Sequence, residues 1–219
     1  MGRVVKVVPM NRRDFARLVG LGSLGVGISG KSGWAEQNDF GLPTANYEKN
    51  EVYALWRYAT AVYYFDPFGL RIRPGETVDF YIGSSSGRAP TIAAYHPEND
   101  NHELRIPETA RPFDSGVARY QDGAPRGQRE PNFRWTFEVE GTYDYYSRFE
   151  EWNGMVGRIV VGRPGGPGEK PWGYGNKDGR RPIPPAVFER AKLLDSQKIV
   201  LQRVVPFPHD KFSTPYPLW

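Results

Sequence analysis

A chain of 219 residues makes one ordinary domain plus extensions. With 39% hydrophobic, 25% charged and 14% aromatic residues it is no disordered polyelectrolyte, and 25 Gly and 20 Pro argue for many turns and against a helical bundle. The absence of cysteine excludes disulfides, iron–sulfur clusters, thiolate zinc sites and a cysteine nucleophile, and the formal charge of +4 comes from 29 basic residues dispersed among 25 acidic ones, which is not the footprint of a nucleic-acid-binding protein.

Residues 1–35 read as an address. Arg12 and Arg13 precede Phe15 and the apolar stretch from Leu18 to Ile28, the pattern of a twin-arginine export signal. That stretch is shorter than the about 20 apolar residues of a spanning helix and is broken by glycines. Gly33 and Ala35 flank a cleavage position before Glu36; if the segment is retained instead, it tethers an extracytoplasmic domain. Gly25 to Ser32 matches the phosphate-loop pattern literally, but it neither follows a buried strand nor opens a helix, so nucleotide binding is not implied. Gly83-Ser84-Ser85-Ser86-Gly87 matches a nucleophile elbow and continues into Arg88-Ala89-Pro90, which reads as a flexible turn.

A short N-terminal arm, 36–50, leads to residues 51–162, where β-rich runs alternate with turn clusters as in an all-β sandwich. The strand candidates are Val52 to Tyr64, Leu70 to Arg73, Thr77 to Ile82 after the Pro74-Gly75 turn, Thr91 to Tyr95, Phe133 to Val139, Thr142 to Ser147, and a closing strand Gly157 to Val161. A long polar loop runs from His96 to about Arg129. Tyr143, Tyr145, Tyr146, Phe133, Trp135 and Phe137 read as core and cross-strand pairs, a tyrosine electron relay being the other reading.

From Arg163 a Pro/Gly/Lys linker opens a C-terminal arm, 163–219, with one short helix from Pro184-Pro185 to Leu194. Val187, Phe188, Ala191 and Leu194 fall at helical spacing, and the proline-rich end from Val204 to Trp219 is costly to leave in water. The arm packs either on its own sandwich or on a partner; in the second case Phe188, Leu194, Phe207, Tyr216 and Trp219 are the contact residues.

The blocks Phe65 to Val78, Thr91 to Asn99, Gly141 to Ser147 and Glu151 to Val161 occur in collinear order and resemble a plastocyanin- or halocyanin-type cupredoxin. The resemblance implies a Greek-key β-sandwich with a type 1 copper held at one end by two His, a Cys and a Met. Carried over position by position, the first His falls on Pro90 (Ala89 if the alignment slips by one), the Cys on Ser147, the second His on Glu150, and the Met on Met155. The spacings of three and eight from the Cys position survive while its chemistry does not. A serine hydroxyl is hard and ionises far above neutral pH, and a lone thioether has little affinity for Cu(II). Glu150 is expected either to face solvent or to bond Ser147 or an arginine such as Arg148.

His96 and His102, with Met155, are the candidates for a non-blue copper site; otherwise His96 braces its loop and His102 is solvated. Glu150-Glu151 are adjacent on one loop and unsuited to paired-carboxylate hydrolysis, and nothing forms an enzymatic constellation. The reading is an exported cupredoxin-like chain without cofactor, serving as an accessory subunit on protein partners in a membrane-associated, electron-handling complex, and lying in the membrane only if the N-terminal segment is kept. The alternative is a copper-binding periplasmic electron carrier.

Overall fold

The computed structural model describes residues 47–57, 62–83, 90–118, 129–176 and 179–211. The export signal, most of the N-terminal arm, the two literal motifs apart from Gly83, and Tyr216 and Trp219 lie outside them.

Two sheets form a Greek-key sandwich. Strands β1 (Glu51–Arg57), β2 (Val62–Asp66), β3 (Gly69–Ile72), β4 (Glu76–Ile82), β5 (Ala93–Ala94), β6 (Phe133–Phe137), β7 (Gly141–Tyr146), β8 (Val156–Val161) and β9 (Val204–Val205) are ordered β2-β1-β4-β6 in one sheet and β5-β7-β8-β3-β9 in the other. The run from Val52 to Tyr64 is thus two strands, antiparallel with Leu55 opposite Tyr64, and β1 runs parallel to β4. The stretch from Thr91 to Tyr95 contributes only two residues to the ladder, pairing with Tyr145 and Tyr146.

Period two explains the core. Val52 and Ala54 of β1, Tyr143 and Tyr145 of β7, and Ile159 and Val161 of β8 point between the sheets, where they meet Phe65, Phe80, Phe113 and Phe137. Gly157 lies on this inward face, where a Cβ would come within 2.5 Å of the Tyr145 ring. The opposite residues are buried too. Tyr53, Leu55, Tyr146 and Val156 belong to a second apolar cluster completed by Ile183, Val187, Leu194 and Phe207.

The C-terminal arm is therefore part of the sandwich as far as Lys211. Its first helix, α1 (Pro185–Ala191), starts as expected behind Pro184 but ends three residues short of Leu194. A second helix, α2 (Ser196–Gln202), follows, capped by Asp195, whose carboxylate accepts the Gln197 and Lys198 amides at 2.8 and 3.2 Å. It seats Ile199 against Gly69 and Val160, and β9 then pairs antiparallel with β3, so among the described residues β9 and not β8 is the last strand of the chain; β8 lies between β7 and β3.

Burying this face encloses charge. Asp144 on β7 binds Arg105 Nε at 2.8 Å and Arg158 Nε at 2.7 Å, all three side chains being nearly or fully buried. The two guanidinium groups use their remaining N–H donors on backbone carbonyls of Gly168, Lys170 and Leu194, on Ser196 Oγ, and on Glu103. Breaking such a set by removing one partner costs about 3–5 kcal/mol. The Pro/Gly linker, which opens the arm and forms no core of its own, is thereby bolted to the sheet.

Candidate functional site

The site suggested by the sequence lies in the loop from Ser147 to Met155, which joins β7 to β8. Its neck is closed by the Ser147 amide donating to the Met155 carbonyl at 3.1 Å. Inside, the Glu150 amide donates to Ser147 O at 3.2 Å and the Met155 amide to Glu150 O at 3.1 Å. A 3₁₀ turn at Glu151–Asn153 ends at Gly154, whose φ of 76° is the left-handed region that favours glycine. A Cβ there would also lie 2.9 Å from the Ala186 carbonyl, so glycine lets α1 back the loop closely.

Three of the four relict positions meet here. Ser147 Oγ donates a hydrogen bond to Glu150 Oε2 and accepts the Thr91 amide at 3.0 Å. Thr91 Oγ1 in turn accepts the Arg148 amide at 2.8 Å. Ser147 and Glu150 are completely buried, as is Met155, which belongs to the inter-sheet core. Pro90, preceding Thr91, is buried and its carbonyl accepts the Ala118 amide at 3.3 Å. Of the two arrangements open to Glu150, solvent or a hydrogen bond, the structure has the bond to Ser147. Arg148 goes elsewhere, to Asp100 and Asp114 at 2.6 Å each.

These residues do not fit a type 1 copper ion. The donor set offers a hydroxyl, a carboxylate, a thioether and a proline where two imidazoles and a thiolate are needed. The hydroxyl, moreover, already uses its proton on Glu150 and a lone pair on the Thr91 amide. Among the described residues no group of three or more His, Asp or Glu side chains is placed to hold a metal ion.

The histidines divide. His96 braces its loop, its Nδ1 accepting the Glu98 amide at 3.2 Å, and partial burial holds its pKa below the ordinary value. His102 is not solvated, contrary to expectation: it has no exposed surface and is walled by the Tyr95 and Tyr146 rings at 5.0 and 4.6 Å. Its Nε2 stands 3.2 Å from Glu151 Oε2. His96, His102 and Met155 are thus engaged by three different sets of neighbours.

The expected contact residues also need correction. Leu194 and Phe207 are buried in the second cluster, Phe207 stacking on Tyr64 at 4.4 Å, and Phe188 is partly buried beside them, because the arm closes on its own sheet. The residues missed are on the loop itself. Phe149 is 52% exposed and Trp152 63% exposed, while the residues between them, Glu150 and Glu151, are buried. Two buried carboxylates flanked by exposed aromatic rings invert what hydropathy predicts, so Phe149-Glu150-Glu151-Trp152 carried no sequence signal of this arrangement.

The sandwich, its strand order and the β7–β8 loop at one end define a cupredoxin-like fold. No protein-family model matches the chain, and no curated protein matches it significantly. Among solved structures it is similar to a pseudoazurin from Sinorhizobium meliloti, at 19% identity and a TM-score of 0.44, over 70% of this chain and 96% of that one. It is also similar to a purple cupredoxin from Nitrosopumilus maritimus, at 23% identity, a TM-score of 0.36 and coverage of 52% and 99%, and to a plastocyanin from Dryopteris crassirhizoma, at 18% identity, a TM-score of 0.36 and coverage of 51% and 98%. The likeness is one of fold.

Proposed function

We propose that this chain is a metal-free, cupredoxin-fold accessory subunit that is exported and works by contact with protein partners of a membrane-associated, electron-handling complex. The observation that carries the reading is the Ser147–Glu150–Thr91 network: side chains at two of the relict ligand positions bond to each other, and Ser147 also accepts the Thr91 amide, which supports a loop held in shape by its own hydrogen bonds. A loop stabilised in this way remains a platform, and this one presents Phe149 and Trp152 to solvent. Export rests on the Arg12-Arg13 pattern and the electron-handling partner on fold analogy. Among the described residues no helix is long and apolar enough to cross a membrane.

The test is titration of the purified chain with Cu(II), followed by visible absorption, electron paramagnetic resonance and voltammetry. The expected result is no stoichiometric uptake and no charge-transfer band. Tight one-to-one binding with reversible redox chemistry would overturn the proposal in favour of the electron-carrier reading.

A further inference from the structure

A second buried polar group centres on Glu151 of the same loop. Tyr95 is completely buried, and its phenol donates to Glu151 Oε1 at 2.8 Å. The other carboxylate oxygen stands 3.2 Å from His102 Nε2 and 3.3 Å from an Arg181 guanidinium nitrogen. Burial, the Glu151 charge and the hydrogen bond to it hold the Tyr95 phenol well above its ordinary pKa, so it keeps its proton at rest.

Oxidisable rings adjoin it. Trp172, partly exposed, meets Tyr95 edge-on with centroids 5.2 Å apart, and Tyr146 lies 4.5 Å away. The Arg105 guanidinium sits 3.8 Å from the Trp172 ring centroid. A cation there disfavours positive charge on the indole, since the attraction of a cation for a neutral ring becomes repulsion once the ring is oxidised. Tyr95 has the opposite surroundings: a carboxylate in hydrogen-bond contact can take the proton that an oxidised phenol must shed.

We propose that the Tyr95–Glu151 pair is a proton-coupled redox site, reached from the surface through Trp172. An outer-sphere one-electron oxidant removes one electron; the phenol proton crosses the existing hydrogen bond, so that Tyr95–OH and Glu151–COO⁻ become a neutral Tyr95–O• and Glu151–COOH. Re-reduction by one electron returns the proton to the phenol oxygen. The departing electron takes the pair's net charge from −1, on Glu151, to zero, and transfer of the proton across the 2.8 Å hydrogen bond avoids a phenol radical cation in a dry interior. The site belongs to the chain's own side chains and needs neither copper nor a docked partner.

The experiment is flash–quench oxidation of the full chain with photogenerated ruthenium(III) tris-bipyridine, followed by transient absorption and electron paramagnetic resonance. The wild type is expected to give a long-lived neutral tyrosyl radical whose formation slows in deuterated water. Tyr95→Phe, which keeps the ring, is expected to lose most of that long-lived signal. Glu151→Gln, which keeps a hydrogen-bond acceptor but not a base, is expected to slow its formation by at least about tenfold. Tyr143→Phe serves as control, because the Tyr143 phenol donates to the Val139 carbonyl at 2.6 Å and has no base there. An undiminished radical in Tyr95→Phe, or unchanged kinetics in Glu151→Gln, overturns the proposal. So does the lack of a solvent isotope effect in the wild type, which requires no variant to fold.

Discussion

At Ser147 a single hydroxyl decides what the loop is. Its oxygen accepts from the Thr91 amide and donates to Glu150, so one small side chain pairs with a backbone donor on the facing segment and with one oxygen of a buried carboxylate on its own. Ser147→Ala removes both bonds without filling the space with a new polar group. Leaving a buried donor or acceptor unmatched costs about 1–3 kcal/mol, the loss expected for this variant. Denaturant unfolding of Ser147→Ala against the wild type reads the loss directly; a midpoint within error of the wild type would mean that the network does not hold the loop. The three site positions within this loop were legible only through the cupredoxin resemblance, which carries Ser147, Glu150 and Met155 over together because they share one short segment. His102 was not, because Asn99, Asp100, Asn101 and Glu103 around it read as solvated loop, and the rings of Tyr95 and Tyr146 that bury it come from the bend just after β5 and from β7.

Among the elements, the strands followed from alternation and turn residues, while the arm's place did not. Thr142, Asp144 and Arg158 alternate with inward residues and read as a wet outer face. They are dry because Arg105, 39 positions from Asp144, and the carbonyls of the arm meet them, a pairing with no local signal. The same closure brings the arm's last described turn, His209–Lys211, to β1, where Arg57 Nη2 lies 3.0 Å from His209 Nδ1. A guanidinium only donates, so this contact requires the neutral imidazole with Nδ1 as acceptor. Burial first, and the Arg57 charge second, lower the His209 pKa from its ordinary 6.5. The unfolded chain therefore binds more protons than the native one as acidity rises, and stability is lost as pH falls through about 6.5 towards the lower native value. His96, also lowered by burial, acts in the same direction. His209→Gln keeps an acceptor for Arg57 without titrating. Between about pH 7.5 and about pH 5.5 its unfolding midpoint is expected to fall less than that of the wild type; equal slopes would show that His209 is not linked to folding.

For the whole molecule, the docked arm changes which experiment can reveal a partner. Deleting residues 173–219 strips β9 from its sheet, uncovers Val160 and removes Leu194 and Phe207 from a core cluster, so loss of co-purification after that deletion would report unfolding and nothing about docking. A contact surface has to be sought among side chains the fold does not use. Phe149 and Trp152 meet this condition: they are large, apolar and more than half exposed on a loop whose backbone is fixed by its neck, by Gly154 and by the buried carboxylates between them. Rings presented on such a rigid loop lose little conformational freedom on binding, which is what makes aromatic residues effective anchors at interfaces. Phe149→Ser combined with Trp152→Ser is therefore expected to leave the unfolding midpoint almost unchanged, within about 0.5 kcal/mol as for ordinary surface substitutions. On the proposed accessory-subunit reading, the wild-type chain is expected to bring protein companions with it from membranes in mild detergent, and this variant is expected to lose them. Retention of the same companions at the same yield would remove this loop from the interface and, with it, the reading of the β7–β8 end as a docking platform.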